Sequence, residues 1–533
     1  MSWPSVSWTT RLINYAVMLA AGALMAFAFP PFGFWPGLIG YPLLFWAIDR
    51  VEGPGRLWRA FGYGWLAGFA FFLVGCWWVA EAFFVDARQA WMAPFAAALL
   101  PAGIGLFWGA ACALYRKLAP AHVGRVFVFA AVFGLFEWLR GHVLTGFPWN
   151  LLGETWRAGS APSEMAAFVG AYGLTTLTLV ALFAFGPLLG AGNRKYRAGI
   201  AAVGTILLAC MWIAGAIRLD GAHVHPTPTV VRVVQPDVPQ ESKWSKEALA
   251  GIVRRYVNLT SHMGDKDPDV VIWPEGALPM SAQDTLDPEG WVEPAIAQAL
   301  EPNQTLLIGT YRAEQKPHDK ERYYNSLMAV HRAPGGALQV VAVYDKHRLV
   351  PFGEYLPLEA ILTPLGFKDL THIGDSFSSG PRPRPLRIAG LPLAQPLICY
   401  ESLYPGLAED GGTRPGWIIN VSNDAWFGPT SGPLQHLNLA SYRAIEQGLP
   451  LVRATPTGVS AVIDPWGRVL PGARLNPGES GVIDQNLPQP ASPTLYSEIG
   501  DLIFWLLTVA GCAFALKRSW FTQKKDEAEA VSP

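Results

Sequence analysis

The sequence lacks the cysteine patterns of a disulfide-rich or zinc-binding protein. Its 533 residues include five cysteines, with no Cys-x-x-Cys pair and no Cys/His spacing typical of a metal site, so neither a disulfide framework nor a zinc site is predicted. Charged residues are scarce, at 15%. The polar half of the chain has no basic cluster, which argues against nucleic-acid binding. Repeats and low-complexity tracts are absent too, and this excludes collagenous and repeat architectures.

Apolar residues, in contrast, are abundant: 51% of the chain is hydrophobic and the mean hydropathy is positive, which favours a membrane protein. A helix needs roughly 20 apolar residues to span a bilayer. Eight spans are predicted, near residues 12–29, 34–49, 60–80, 91–115, 126–141, 165–190, 197–217 and 498–516. The predicted domains are therefore a transmembrane domain at 1–218 with about seven helices, a polar domain at 219–496, and a final transmembrane helix with a tail at 497–533.

The positions of basic residues predict the orientation of these spans. Lys and Arg concentrate between spans two and three, four and five, and six and seven, for example at Arg56, Lys117 and Arg194. Loops rich in Lys and Arg stay in the cytoplasm, and the basic C-terminal tail with Lys524 is placed there as well. We therefore expect a multi-pass protein of the inner membrane of a Gram-negative type of cell, with both termini in the cytoplasm and the polar domain in the periplasm.

Within the polar domain, short strand-like runs alternate with helical segments, as is typical of an α/β fold. Three of the runs end in a reactive residue: VVIWPE ends in Glu275, VAVYDK in Lys346 and PLIC in Cys399. Side chains at strand ends meet at the carboxyl edge of α/β sheets, where ligands usually bind. The sequence therefore predicts one site that contains a carboxylate, an amine and a thiol.

These three groups are sufficient for acyl transfer through a thioester, without a histidine, a metal ion or a cofactor. A free thiol has a pKa of about 8.5 and is mostly protonated at neutral pH. Glu275 can take the thiol proton as general base. Lys346 can lower the thiol pKa and stabilise the oxyanion of a tetrahedral intermediate. Taken singly, however, each residue has an ordinary structural interpretation: a core cysteine, a turn glutamate and a solvated lysine.

Longer motifs resemble known families. VIWPEG, YDKHRLVPFGEYLPL and LICYES resemble the carbon–nitrogen hydrolase (nitrilase) superfamily. Together with residues 421–467 and the flanking spans, they are similar to the apolipoprotein N-acyltransferases of the bacterial lipoprotein pathway. The resemblance implies a multi-pass α-helical membrane domain plus an α/β nitrilase-like αββα sandwich. It also implies a ping-pong reaction, in which a phospholipid acyl chain passes to the enzyme cysteine and then to the α-amine of a diacylglyceryl-modified cysteine on an apolipoprotein.

The resemblance also implies roles for individual residues by their position in these motifs. Glu275 would be the general base, Lys346 the stabiliser of the intermediate and Cys399 the nucleophile. Five further residues match supporting positions of the family: Glu354, Tyr400, Glu401, Asn325 and Trp244. For Glu401, a hydrogen bond that holds the turn stays an alternative to a direct role. For Trp244, ordinary packing stays an alternative to lining a substrate channel.

The implied partners are a phospholipid acyl donor, a diacylated apolipoprotein acceptor and the bilayer itself, with no cofactor and no metal, and the chain is expected to be a monomer. The apolar segment 350–380 is expected to be a lid that receives lipid tails, or else a helix packed on the sheet. Two other functions stay open. One is a membrane-anchored amidase or nitrilase that hydrolyses a small amide; the other is a transporter or lipid-binding scaffold, in which Cys399→Ala would be silent.

Overall fold

The computed structural model describes residues 8–120, 124–191, 193–243, 246–315, 321–359, 376–409 and 412–514. The chain divides into two compact units. The first comprises Met1–Ala80, Pro94–Gly221 and Glu498–Pro533, and the second comprises Glu81–Ala93 and Ala222–Ser497. The second unit thus takes in a short segment from the apolar half of the sequence. Residues 360–375, which make up much of the expected lid, lie outside the described ranges.

Six helices in the described part of the chain are long and apolar enough to cross a membrane. They are Trp8–Phe27, Arg56–Phe83, Ala90–Leu118, Arg125–Thr145, Ala161–Leu189 and Arg194–Asp220, some of them with a 3-10 turn at one or both ends. Large apolar side chains on these helices are exposed, among them Trp58, Leu99 and Ile213. Such surfaces suit a lipid environment and not water. The six helices match six of the eight predicted spans, and the protein is a multi-pass membrane protein.

In the described residues, the other two predicted spans differ from these six. Residues 34–49 form a 3-10 turn, Trp35–Ile39, followed by the helix Gly40–Asp49, which at about 1.5 Å per residue is too short to cross a bilayer alone. A side chain at Gly40 would collide with the backbone of Ala21, so close packing against the first helix shapes this segment. In the last predicted span, the described residues form the helix Leu502–Phe514.

The second unit is built on two β-sheets. Its strands are β1 (Pro226–Gln235), β2 (Val270–Trp273), β3 (Thr305–Glu314), β4 (Arg322–Arg332), β5 (Leu338–Asp345), β6 (Ala394–Ile398), β7 (Trp417–Val421), β8 (Leu451–Ala454), β9 (Ser460–Ile463), β10 (Val469–Leu475) and β11 (Gly481–Pro488). One sheet has the order β11-β1-β2-β3-β4-β5 and the other the order β10-β9-β8-β7-β6. The neighbours β1-β2-β3 and β6-β7-β8 run parallel, while the remaining pairs are antiparallel. Each sheet therefore has three parallel strands whose carboxyl ends lie at the same edge.

Alternating side chains along the strands place the two sheets face to face. Val233 of β1 and Ile419 of β7 belong to one apolar cluster that the two sheets share. Neighbouring positions point the other way: Val271 of β2 packs in a second cluster with the helices Lys246–Thr260 and Val292–Ala299. This alternation follows from the period of two along a strand, and it gives a sheet-on-sheet core with helices on the outer face of the six-stranded sheet.

The helix Gly432–Gln447 covers the five-stranded sheet. It packs beside β8 and the turn that follows β6, and nearly all of its side chains are buried. Three short helices, Gln240–Lys243, Ala282–Thr285 and Leu495–Ile499, also lie in the described part of the chain. The layers therefore run helix, sheet, sheet, helix. The predicted fold class, a multi-pass α-helical membrane domain plus an α/β nitrilase-like αββα sandwich, is confirmed.

Candidate active site

Glu275, Lys346 and Cys399 lie just beyond the ends of three strands. Glu275 follows β2 after one proline, whereas Lys346 directly follows β5 and Cys399 directly follows β6. The first two strands belong to the six-stranded sheet and β6 belongs to the other sheet. The three residues therefore meet between the ends of two facing sheets.

Cys399 occupies a sharp backbone turn. Its φ of +48° lies in the left-handed region, which costs a non-glycine residue on the order of 1–3 kcal/mol. The strand β6 ends at Ile398, and the 3-10 turn Cys399–Leu403 begins at once. A strained strand-to-helix turn of this kind holds a nucleophilic side chain in a fixed position at a sheet edge.

Glu401 holds this turn in place. Its Oε2 accepts a hydrogen bond from the N–H of Ile398 at 2.7 Å. Its Oε1 accepts from the N–H groups of His347 at 2.8 Å and Arg348 at 3.1 Å, and from the hydroxyl of Tyr344 at 2.6 Å. Burial raises the pKa of this carboxyl, while its hydrogen-bond donors lower it in part. Glu401 therefore joins the turn after β6 to the turn after β5, which is the turn-holding alternative named from the sequence.

Lys346 and Asn325 both donate hydrogen bonds to the same two carboxylates, those of Glu275 and Glu354. The Nζ of Lys346 donates to Glu275 Oε1 at 3.1 Å and to Glu354 Oε1 at 3.0 Å. The side-chain amide of Asn325 donates to the same two oxygens, at 2.7 and 2.6 Å. The remaining oxygen of Glu275, Oε2, accepts from the backbone N–H of Asn423 at 2.8 Å. All the donors and acceptors in this group are buried or nearly so, so the hydrogen bonds hold one geometry.

These contacts determine the charges of the site. Burial alone would raise the pKa of Glu275, but Lys346 and the hydrogen bond from Asn325 bring it below its ordinary value. Burial would likewise lower the pKa of Lys346, but the charges of Glu275 and Glu354 raise it above its ordinary value. At neutral pH the site therefore holds a carboxylate and an ammonium group in direct contact.

The thiol itself is neutral in this environment. Burial raises the pKa of Cys399 to about 12; the charges of Glu275 and Asp424 act in the same direction, and Lys346 and a hydrogen bond with Ser422 act against it. From the sequence, we expected Lys346 to lower the thiol pKa. Lys346 does act in that direction, but burial outweighs it. Because the Glu275 carboxylate acts directly on the pKa of the thiol, the arrangement suits proton transfer to that carboxylate during attack, and not a pre-formed thiolate.

A buried polar cluster supports the backbone of Cys399 from behind. His436 lies with Nε2 3.2 Å from the Cys399 carbonyl oxygen and Nδ1 2.9 Å from Asp424. Arg453 donates to both carboxylate oxygens of Asp424 at 2.8 Å. Burial would raise the pKa of Asp424, but Arg453 and His436 lower it to about 2. Burial and the nearby Arg453 charge lower the pKa of His436, and the ring links the backbone of Cys399 to Asp424.

The remaining predicted residues differ in what the structure says of them. Tyr400 is buried next to the nucleophile and packs edge-to-face against Tyr404, with ring centroids 5.3 Å apart. Trp244 lies outside the described residues. Sequence reasoning missed Arg453, although a cation inside the apolar run of β8 was a usable signal because charged groups are rarely buried without a partner. It also missed Lys243, for which the sequence carries no comparable signal.

Comparison with known proteins places this fold and site in a family. A family model described as the apolipoprotein N-acyltransferase N-terminal domain matches residues 21–186, and a carbon-nitrogen hydrolase model matches residues 230–491. An apolipoprotein N-acyltransferase of Caulobacter vibrioides is 53% identical over 510 residues, which cover 94% of each chain. The chain belongs to the apolipoprotein N-acyltransferase family. Relatives of the same name from Rhodopseudomonas palustris and Bradyrhizobium diazoefficiens are each 40% identical, over 91% and 94% of each chain respectively.

The two matched regions correspond to the apolar helices and to the domain that holds the reactive residues. The first region covers most of the long apolar helices. The second contains Glu275, Lys346 and Cys399, and it runs through both sheets. Membership of this family confirms the resemblance inferred from the sequence motifs, and the protein is an acyltransferase of the membrane. Within the described part of the chain, no group of three or more His, Cys, Asp or Glu side chains is arranged to hold a metal ion.

Proposed function

We propose that this protein transfers an acyl chain from a membrane phospholipid to the N-terminal amine of a diacylglyceryl-cysteine apolipoprotein and so completes lipoprotein maturation. The observation that carries the proposal is the Glu275–Lys346 ion pair, with Nζ 3.1 Å from Oε1, whose two charges both act on the Cys399 thiol. The names of relatives that match more than nine-tenths of the chain support the choice of substrates.

In the first half-reaction, Cys399 attacks the ester carbonyl carbon of the phospholipid. Glu275 accepts the thiol proton as the S–C bond forms, and the Lys346 ammonium stabilises the negative charge on the carbonyl oxygen, as does the backbone N–H after Cys399. The C–O bond then breaks, and Glu275 returns the proton to the departing lysophospholipid oxygen. The sulfur is left carrying the acyl chain as a thioester.

In the second half-reaction, the neutral α-amine of the apolipoprotein attacks the thioester carbonyl. A C–N bond forms and the C–S bond breaks, while one amine proton passes to Glu275 and on to the Cys399 sulfur. Asn325 and Glu354 hold the side chains of Glu275 and Lys346 in position through the hydrogen bonds described above. Glu401 and Tyr400 hold the backbone turn at Cys399, and Trp244 is the fifth supporting residue of the reaction.

The location of the reaction follows from the chemistry of its substrates. Each buried CH₂ of an acyl chain contributes roughly 0.8 kcal/mol to membrane retention, so extracting either substrate into water would be unfavourable. We therefore propose an inner-membrane location with the catalytic domain in the periplasm and both termini in the cytoplasm, as the basic loops predict. The domain limits 1–218, 219–496 and 497–533 and a monomeric state belong to the same proposal.

Mass spectrometry of the purified protein after incubation with phospholipid tests this function. Wild-type protein is expected to gain the mass of one acyl chain, to lose it on treatment with hydroxylamine, and to pass it to a diacylglyceryl-cysteine peptide. Cys399→Ser should gain no such adduct, whereas Cys210→Ser, a control at an exposed cysteine of a long apolar helix, should behave as wild type.

Other outcomes would contradict the proposal. An unmodified wild-type protein would remove its support. Release of free fatty acid without a stable thioester would favour a hydrolase of the amidase or nitrilase type. A Cys399→Ser protein that transfers acyl chains normally would instead favour a scaffold in which the thiol has no chemical role.

A further inference from the structure

Three buried polar groups near Glu275 have no hydrogen-bond partner in the parts of the chain that the structure describes. Lys243, at the end of the short helix Gln240–Lys243, is only 2% exposed and forms neither an ion pair nor a hydrogen bond there. Gln240 Nε2 and Asn423 Oδ1 are also buried and unpartnered. Burying such groups without partners is unfavourable. Three of them in one place indicate a polar subsite that a ligand completes.

The three groups lie on one side of the Glu275 carboxylate. The Nζ atom of Lys243 is 3.2 Å from the position that a Cβ on Gly276 would occupy. The backbone N–H of Asn423 donates to Glu275 Oε2 at 2.8 Å, and its side-chain amide donates to Gln240 Oε1 at 3.1 Å. Oε1 of the same carboxylate is already occupied by the lysine and asparagine described above. The subsite is therefore on the Oε2 side of the general base.

The unpartnered atoms define the chemistry of the ligand. The hydrogen bond between the Asn423 and Gln240 amides uses one N–H and one oxygen in either orientation of the two side chains, so one NH₂ donor and one carbonyl acceptor are always left over. With the Lys243 ammonium, the subsite offers two donors and one acceptor. A phosphate group presents only acceptor oxygens and would face both the amide oxygen and the Glu275 carboxylate. An N-terminal aminoacyl group, which has amine N–H donors and a carbonyl oxygen, is complementary.

We propose that Lys243, Gln240 and Asn423 bind the N-terminal aminoacyl group of the acceptor protein, an inference that rests on the proposed acyltransferase function. The leftover amide oxygen accepts an N–H of the α-amine. Lys243 and the leftover NH₂ donate to the carbonyl oxygen of the first peptide bond. This placement brings the amine beside Glu275 Oε2, which takes its proton as the C–N bond forms, and the proton then passes to the Cys399 sulfur as the C–S bond breaks.

The electrostatics of Lys243 agree with a binding role. Burial lowers the pKa of Lys243 to about 8, and the charge of Glu275 only partly opposes this effect. A buried lysine whose charge has no partner lowers the stability of the free protein. Groups of this kind are typical of functional sites, where a local energetic conflict is relieved when the ligand binds.

Measuring the two half-reactions separately tests the proposal. Thioester formation is followed by intact-protein mass spectrometry with phospholipid alone, and transfer is followed by loss of the adduct after a diacylglyceryl-cysteine peptide is added. In Lys243→Met, we expect the ratio of the transfer rate to the thioester-formation rate to fall roughly tenfold or more, because a charge-assisted hydrogen bond to the acceptor is lost. The KM for the peptide should rise, and the melting temperature should be equal to or higher than that of wild type.

Control variants distinguish a binding role from a general defect. Arg254→Met, at an exposed position of the helix Lys246–Thr260, should leave the ratio unchanged. Gln240→Leu should also lower the ratio of the transfer rate to the thioester-formation rate. It provides the same comparison if Lys243→Met does not fold.

Three results would separate the possible failures. A wild-type ratio in both Lys243→Met and Gln240→Leu would overturn the subsite. Slower thioester formation with an unchanged transfer rate would overturn it as well and would assign Lys243 to the donor phosphate. A wild-type protein that forms no thioester would refute the acyltransferase function itself and not the subsite alone.

Discussion

Replacing Glu401 with glutamine tests how the nucleophile turn is maintained. Glu401 accepts four hydrogen bonds through its two oxygens, one from Ile398 and three from the segment that ends β5 and follows it. Glutamine has one oxygen and one NH₂ group, so its NH₂ has to face at least one donor. The less unfavourable orientation turns the NH₂ towards the Ile398 N–H, directly before Cys399.

The expected magnitude follows from these contacts. An unpaired buried N–H costs about 1–3 kcal/mol, and the hydrogen bonds that remain become weaker when their acceptor is neutral. Loss of the buried charge offsets part of this effect, since its desolvation is no longer required. We expect the free energy of unfolding to fall by about 2–3 kcal/mol. The strained φ of Cys399 can then relax, and a nucleophile displaced by about 1 Å slows attack roughly 100-fold.

Two measurements on Glu401→Gln check this reasoning: unfolding in denaturant, and the rate of thioester formation from phospholipid. Asp464→Asn is the matched control, because Asp464 is a buried carboxylate that accepts from the N–H groups of Trp466 at 2.9 Å and Arg468 at 3.0 Å in the turn between β9 and β10. The control should lose comparable stability with a wild-type rate. A wild-type rate in Glu401→Gln, or an equal loss of rate in Asp464→Asn, would refute the positioning role.

Two further predictions concern charge. Glu354→Gln removes one of the two carboxylates that bind Lys346 and should slow thioester formation roughly tenfold or more, since a charge-assisted hydrogen bond contributes about 1.5–3 kcal/mol; a wild-type rate in the mass-spectrometric assay would contradict this. The pKa of Asp424 is lowered to about 2, so its ionised form stabilises the fold above about pH 4, and about 2 kcal/mol is lost as the pH falls from about 4 to 2. Denaturant unfolding at both pH values should show a smaller loss in Asp424→Asn than in wild type, and equal losses would contradict the assignment.

Hydropathy predicted the membrane half of the chain well, and residues 34–49 are the exception among the described residues. Six of the eight predicted spans coincide with long apolar helices because the length and composition of a span are local properties of the sequence. Residues 34–49 are nearly as apolar but form only a short helix. There Gly40 lies so close to the backbone of Ala21 that a side chain would collide with it, and a hydropathy profile contains no term for such packing.

The strand pattern similarly located the reactive residues without showing how they meet. The apolar runs before Glu275, Lys346 and Cys399 indicated three strand ends, and the structure has a strand end next to each of them. Alternation of side chains cannot tell which strands share a sheet, because facing sheets and a single sheet have the same period along each strand. The meeting of two sheets at the site therefore came only from the pairing of strands.

The sequence by itself determined the membrane class, the α/β character of the polar domain and the identity of the three reactive groups, because each is encoded in runs of neighbouring residues. Only the tertiary structure decided that burial outweighs Lys346 and raises the thiol pKa, and that Lys243 is buried beside the general base. Both results depend on contacts between distant parts of the chain, such as the hydrogen bond from Asn423 to Glu275, which lie 148 residues apart. Burial and charge act through space, so a thiol's pKa and a lysine's partner are properties of the folded chain.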